Sequence, residues 1–366
     1  MDVAKFTLIP EQFAEKERLL VESGTLLATT FRYPTGVAAV RLANEWGDLI
    51  VLPYQGQQIW AARFGGPGVP RRELTMRSMF EMPIPTRDFL ENFGGFLQHL
   101  GALGAGSPGP DDTHALHGEL PNAPYRSAHL VIGSDTRGHY IGIGGLYEHT
   151  VAFTHHYHAE PLVKLYAGES LININMRITN LKRSPMELMY GAHINFRPVD
   201  NGRLVYSATR TPEHLRLRST IPAHITPTPA FEALMAELRD DPTRHEVLSP
   251  DLAFDPEVVF FIDYNIDDDG LAHSLQVHPD GSADYVCHRP SQLPRVTRWI
   301  SRQMPDQDAI AIAEVGTCEM EGYHAEKAKG NIVEIGPGEN FHCSFDAGLL
   351  VPELAAAVEA HIQTLQ

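Results

Sequence analysis

The sequence predicts an all-β protein, an antiparallel β-sandwich with a few peripheral helices, on three observations. Most of the chain falls into short runs of alternating apolar and polar residues bounded by turn residues. These runs follow one another without the helical stretches that βαβ units would interpose. Only two segments carry apolar residues at helical spacing.

Taken in order, the strand-like runs are Gly36 to Leu42, Asp48 to Pro53, Gln58 to Phe64, Ala128 to Ile132 and His139 to Ile143. They continue with Leu171 to Thr179, Glu187 to His193, Val258 to Asp263, Ala272 to Val277 and Ala309 to Val315. The helical segments are Ala230 to Leu238, entered through Pro229, and Pro352 to Leu365, where Leu354, Val358, Ile362 and Leu365 form one stripe. Glycines and prolines make Gly101 to Thr113 a loop. The polar turn Lys182 to Ser184 reads as closing a hairpin, and Asn265 to Gly270 as a second hairpin turn, because the latter lacks the terminal glutamate of a calcium loop.

At 366 residues the chain is long, yet β-sandwiches often exceed the usual domain size, so one domain over residues 1–366 is expected. Hydrophobic residues at 43% and charged residues at 20% supply a sizeable core. A net charge of -17 argues against nucleic-acid and anionic-membrane partners, which are held by clustered Lys and Arg. Three cysteines, Cys287, Cys318 and Cys343, are too few and odd in number for a disulfide framework. Met1 to Glu11 lacks the features of a signal peptide, and no run has the length of a membrane helix. A cytoplasmic protein is expected, as a monomer or a homo-oligomer.

Three segments carry residues suited to chemistry. His117, with Gly118 beside it, sits at a loop-to-strand junction where a ligand can approach the backbone. His193 lies among apolar residues in Gly191-Ala192-His193-Ile194-Asn195-Phe196, where an imidazole needs a partner or a purpose. Glu319, in Gly316-Thr317-Cys318-Glu319-Met320-Glu321-Gly322, is a carboxylate at the end of an apolar strand, costly unless paired or used.

In this order the three segments resemble the galactose-mutarotase-like, or aldose 1-epimerase, family, in a bacterial branch with comparable His-Gly, His-Ile-Asn-Phe and Cys-Glu-x-Glu-Gly motifs. The likeness extends to Asp48 to Phe64, Gly94-Gly95-Phe96, Thr179-Asn180 and the Pro337-Gly338-Glu339 turn. It implies a supersandwich with a sugar in an open cleft. It further implies acid-base opening of the hemiacetal and reclosure on either face, with Glu319 as base, His193 as acid and His117 steadying the ring or C1 oxygen. Such chemistry removes one proton and delivers another, so it requires no cofactor and no metal.

One departure bears on the substrate. Typical galactose mutarotases carry a Gly-Arg-x-x-Asn-Arg stretch ahead of the His-Gly pair, whereas the corresponding region here, Asn92 to Gly106, has no arginine. Arg71, Arg72 and Arg77 precede it, and Arg77 is a candidate for contacting the sugar. Trp60, Tyr147, Asn195 and Trp299 are further candidates for stacking on it or binding its hydroxyls. Asn195 lies two positions along from His193 and so on the same face.

Two rival readings stand beside this one. His155, His156 and His158, with Glu160 beyond, resemble a cupin-type metal site, since His156 and His158 share a strand face. Glu160 follows too closely for cupin spacing, but a metal-dependent sugar isomerase remains an alternative. The other is a non-catalytic carbohydrate-binding protein of the same fold.

Overall fold

The computed structural model of the protein describes residues 3–220, 226–252 and 254–366. Met1 and Asp2, the start of the stretch read for a leader, lie outside them. Two large antiparallel sheets dominate, of nine and thirteen strands. The nine-stranded sheet runs from Ala4–Leu8 at one edge through Ser127–Ser134, His139–Val151, His155–Tyr166, Leu171–Asn180 and Asn340–Leu350. It ends with Ala283–His288, Ala272–Val277 and Arg203–Tyr206. In the larger sheet the strands that matter most here lie side by side: Val258–Ile262, Arg295–Gln303, Gln307–Gly316, Met186–Ile194 and Leu97–Ala102.

Alternation along the strands explains how the sheets pack. In Leu171–Asn180 the residues Ile172, Ile174, Met176 and Ile178 are buried, while Asn173, Asn175 and Arg177 between them face outward. The same period from both sheets builds one continuous core that includes Leu42, Leu49, Phe64, Phe96, Ile143 and Phe345. Full burial of each such side chain contributes about 1.5–3 kcal/mol.

All ten strand-like runs form strands, and both helical segments form helices. These are α1, Pro229–Asp240, capped by Thr228 whose side chain accepts from the Phe231 N–H, and, last in the chain, Pro352–Thr364. A short helix between them, Tyr323–Lys329, was not foreseen and becomes α2, with Pro352–Thr364 as α3. The loop expected from Gly101 starts later, because Gly101 and Ala102 still belong to the strand Leu97–Ala102.

The two expected hairpins are corrected. Leu171–Asn180 pairs within the nine-stranded sheet and Met186–Ile194 within the thirteen-stranded one, so the turn at Lys182 to Ser184 carries the chain from sheet to sheet. Asn180 holds that crossing, its Nδ2 donating to Ser184 O at 2.9 Å and Ile335 O at 3.0 Å. The turn at Asn265 to Gly270 likewise joins Val258–Ile262 to Ala272–Val277 across the sandwich. Turn residues dictate a reversal, but the burial pattern of the next strand decides which sheet it joins.

Candidate functional site

The site is built on a row of residues across the larger sheet. Gly191 pairs with Gly316 and Ala192 with Val315, so the next step of the register sets His193 beside Glu314. On its other side Glu314 pairs with Thr297, and His193 pairs with Gln98. These side chains therefore leave the sheet on one face, beneath a cavity of about 410 Å³ that His117, His193, Thr297, Trp299, Glu314 and Glu319 help to line. All three residues expected to be catalytic, His117, His193 and Glu319, thus meet in one cleft.

His193 is 4% exposed and enclosed by aromatic rings, with Phe93 and Trp299 presenting edges at centroid distances of 5.2 and 5.1 Å. Burial lowers its pKa to about 4, against a smaller upward pull from the Asn195 side chain. Its Nε2 stands 3.9 Å from Glu314 Oε2. Burial in turn raises the Glu314 pKa to about 8, reinforced by the charge of Glu257 and partly offset by Arg218. Near neutral pH the pair therefore holds one proton, on the carboxyl, opposite a neutral imidazole.

His117 approaches from the loop side, its ring 6.0 Å from that of His193 and 4.4 Å from Phe89. Its backbone is in the left-handed region, φ +58°, held by hydrogen bonds from its N–H to Gly106 O at 3.0 Å and from Gly101 N–H to its carbonyl at 2.9 Å. Such a conformation costs about 1–3 kcal/mol unless its surroundings impose it. The neighbouring glycine serves the chain itself and not a ligand: at Gly118, φ +81°, a Cβ would fall 2.2 Å from Gly104 O.

Glu319 is placed differently from a free base. Its Oε1 accepts from Arg216 at 2.8 Å and its Oε2 from Lys329 at 2.8 Å. Burial pushes its pKa up, but the hydrogen bonds from those two cations outweigh it and hold the carboxyl below its ordinary range. The surrounding turn is fastened by Glu326, fully buried on α2, which accepts from the backbone N–H groups of Glu319 at 3.0 Å and Glu321 at 3.1 Å.

Among the other expected contacts, Trp299 lines the cleft, its Nε1 donating to Glu257 Oε2 at 2.6 Å. Asn195 is fully buried, donates to Gly95 O at 3.0 Å and is outside the cleft lining. Trp60 is a core residue packed with Val37, Ala39, Ile50 and Leu52. Tyr147 belongs to the other sheet, where its hydroxyl meets His149 Nδ1 at 2.8 Å. Arg77 is exposed and outside the cleft lining. Aromatic and arginine residue types alone carried these three expectations, and core packing or solvation accounts for each.

Sequence reasoning missed Glu314, Arg218, Glu257 and Thr297. Arg218 and Glu257 form an ion pair in the cleft wall. Within the described residues, the buried Arg218 Nε, Thr297 Oγ1 and Glu314 Oε1 have no hydrogen-bond partner. Buried polar atoms left open cost about 1–3 kcal/mol each, so three around one cavity mark a place built for a polar ligand. A larger cavity of about 750 Å³ lies across the loop from His117. Its polar groups largely satisfy one another, His324 Nδ1 with Asp112 Oδ1 at 2.5 Å and Tyr323 Oη with Glu187 Oε2 at 2.6 Å.

The histidine cluster of the metal-dependent reading lies on the nine-stranded sheet, away from this cleft. His156 and His158 do share a face, and their neighbouring carboxylate is Glu148 instead of Glu160. His155 turns away toward His149, ring centroids 6.4 Å apart. Among the described residues no helix is long and apolar enough to cross a membrane.

A family model described as "Domain of unknown function (DUF4432)" matches residues 35–349. No curated protein matches the chain. A solved structure from Klebsiella pneumoniae, named a "putative aldose 1-epimerase", superposes with a TM-score of 0.78 at 15% identity, covering 100% of this chain and 96% of its own. A galactose mutarotase-like protein from Clostridium acetobutylicum gives 0.60 at 13% identity, over 89% of this chain and 99% of its own. An Escherichia coli K12 protein, also named a "putative aldose 1-epimerase", gives 0.52 at 13% identity, over 95% and 99%. At such identities the likeness is one of fold, and the fold is the galactose-mutarotase-like one that the motifs implied.

Proposed function

The chain belongs to the family described as a domain of unknown function, DUF4432, and we propose that its cleft opens and recloses the hemiacetal of a sugar, an aldose 1-epimerase-like activity. The observation that carries this reading is the buried His193–Glu314 pair, 3.9 Å apart under a cavity with unpartnered polar atoms.

Opening a cyclic sugar takes the proton from the O1 hydroxyl, delivers one to the ring oxygen O5 and breaks the C1–O5 bond. Both oxygens are bonded to C1, so two proton-transfer groups a few ångströms apart can reach them together. With the proton on Glu314 and His193 neutral, Glu314 protonates O5 while His193 takes the O1 proton. The open aldehyde then rotates about its C1–C2 bond. Reclosure reverses both transfers: His193 returns its proton to the carbonyl oxygen and Glu314 recovers its own from O5. Each group is acid in one half and base in the other, and no electrons are exchanged with the protein.

The roles thus differ from the sequence expectation in two respects. The carboxyl partner is Glu314 instead of Glu319, whose two oxygens are held by Arg216 and Lys329. The resting proton sits on the carboxyl instead of the imidazole, because burial disfavours both charges. Trp299 supplies an apolar face for the ring, and Thr297 and Arg218 supply hydrogen bonds to its hydroxyls.

The test is exchange NMR of α/β interconversion over a panel of hexoses, pentoses and acidic sugars. The reading expects a rate increase for at least one aldose that is lost in His193→Gln. A binding-only protein would perturb sugar resonances without changing the rate.

A further inference from the structure

The outer face of the nine-stranded sheet carries a group that the cleft chemistry does not use. In the pairing of His139–Val151 with His155–Tyr166, Glu148 stands opposite His158, and Thr150 opposite His156. Successive side chains alternate across a sheet, so Glu148, His156 and His158 leave it on the same side. All three are half-buried, while Tyr157 and Ala159 between and beyond the histidines point into the core. Glu148 Oε1 lies 3.4 Å from His156 Nε2, and the two imidazole rings are nearly perpendicular with centroids 6.3 Å apart. One ligand atom from each of the three lies within 4.8 Å of the other two.

We propose that Glu148, His156 and His158 form a binding site for one divalent transition-metal ion of the zinc class. A tetrahedral ion with bonds of about 2.1 Å holds its ligand atoms roughly 3.4 Å apart, so modest side-chain rotation on this solvent-facing surface closes the set. Two imidazoles and one carboxylate select zinc, nickel or copper over magnesium and calcium, which require oxygen ligands. Arg126 engages Glu148 Oε2 and so orients the carboxylate with Oε1 toward the histidines, the role that an outer-sphere partner has at metal sites. Three ligands leave a fourth position open, and His156 also lines the cavity of about 750 Å³.

Two similar clusters are already satisfied internally. His273 has both ring nitrogens engaged, with Tyr285 Oη at 2.7 Å and Asp267 Oδ2 at 3.0 Å. Among Glu319, Glu321 and Glu326 the Lys329 ammonium takes the central place, at 2.8, 2.6 and 3.1 Å. At the site on the nine-stranded sheet, among the described residues, the Arg126 cation meets Glu148 on Oε2 and leaves Oε1 facing His156.

The experiment is calorimetric titration of tag-free, chelator-stripped full-length protein with Zn²⁺, together with the visible spectrum on adding Co²⁺. The expected result is one equivalent bound with a micromolar or tighter dissociation constant and a cobalt spectrum of low coordination number. Both His158→Ala and Glu148→Gln should weaken binding at least about tenfold, with melting curves kept as a check on folding, and His361→Ala should leave it unchanged. Absence of saturable uptake, or uptake that survives both variants, overturns the site.

Discussion

His193 Nε2 and Glu314 Oε2 face each other across 3.9 Å on adjacent strands of the larger sheet, each side chain about 4–5% exposed. Among the described residues neither group has a salt link beyond the other, and burial drives both toward their uncharged forms. A single shared proton therefore defines the resting state of the cleft.

Glu314 and Glu319 make separable contributions. Glu319→Gln keeps the shape but removes the charge that Arg216 and Lys329 share, so it should cost less than about tenfold in kcat at neutral pH. It should also lower the melting temperature, since a partner loss in a buried ionic network costs about 3–5 kcal/mol at most. Parallel steady-state assays and thermal melts read both effects.

The pH dependence of the rate distinguishes the shared-proton scheme from an independent pair. Activity needs one proton on the pair, so kcat/KM, which reports the free enzyme, should be level between about 4, where His193 gains a second proton, and about 8, where Glu314 loses the shared one. A glutamate base and a histidine acid at their ordinary values would instead confine the maximum between about 4.3 and 6.5. A pH–rate profile of kcat/KM decides between them.

Stability should carry the same signature. Below the ordinary glutamate pKa both folded and unfolded Glu314 are protonated; between there and about 8 only the folded protein retains the proton. Its contribution is therefore fully present at low pH and is lost as pH rises through about 8, on the order of a few kcal/mol. Urea melts at pH 6 and pH 9 should show wild type losing stability relative to Glu314→Gln, which has no proton to lose.

Trp299 and Trp60 should respond in different ways. Trp299→Phe removes the donor to Glu257 and part of the cleft wall, and should raise KM about tenfold. Trp60→Phe leaves a void among Val37, Ala39, Ile50 and Leu52 and should lower stability by about 1 kcal/mol or more with KM unchanged.

Much of the fold could be read from the chain because period-two alternation is a local property: Leu171–Asn180 declares its buried face without reference to its neighbours. What could not be read was partnership. Asn180 and Met186 flank a turn that any hairpin could use, and only the packed sandwich sends the two strands to different sheets. Of the site, His117, His193, Glu319 and Trp299 could be found, His193 because an imidazole among apolar residues stands out and His117 because it sits beside a glycine at a loop-to-strand junction. Glu314 was overlooked inside Ala309-Ile310-Ala311-Ile312-Ala313-Glu314-Val315, although one carboxylate in such a run was itself the signal. Arg218 and Glu257 are distant in sequence and become cleft residues only through the pairing of Leu215–Leu217 with Val258–Ile262.

The central claim is that the proton shared by His193 and Glu314 moves during anomer exchange. Saturation-transfer NMR on a responsive aldose at neutral pH, comparing wild type with Glu314→Gln, measures this directly. The account expects the enzymatic exchange rate to fall by about 10² to 10⁴ in the variant while its fold is retained. An exchange rate in Glu314→Gln within a few-fold of wild type would contradict it.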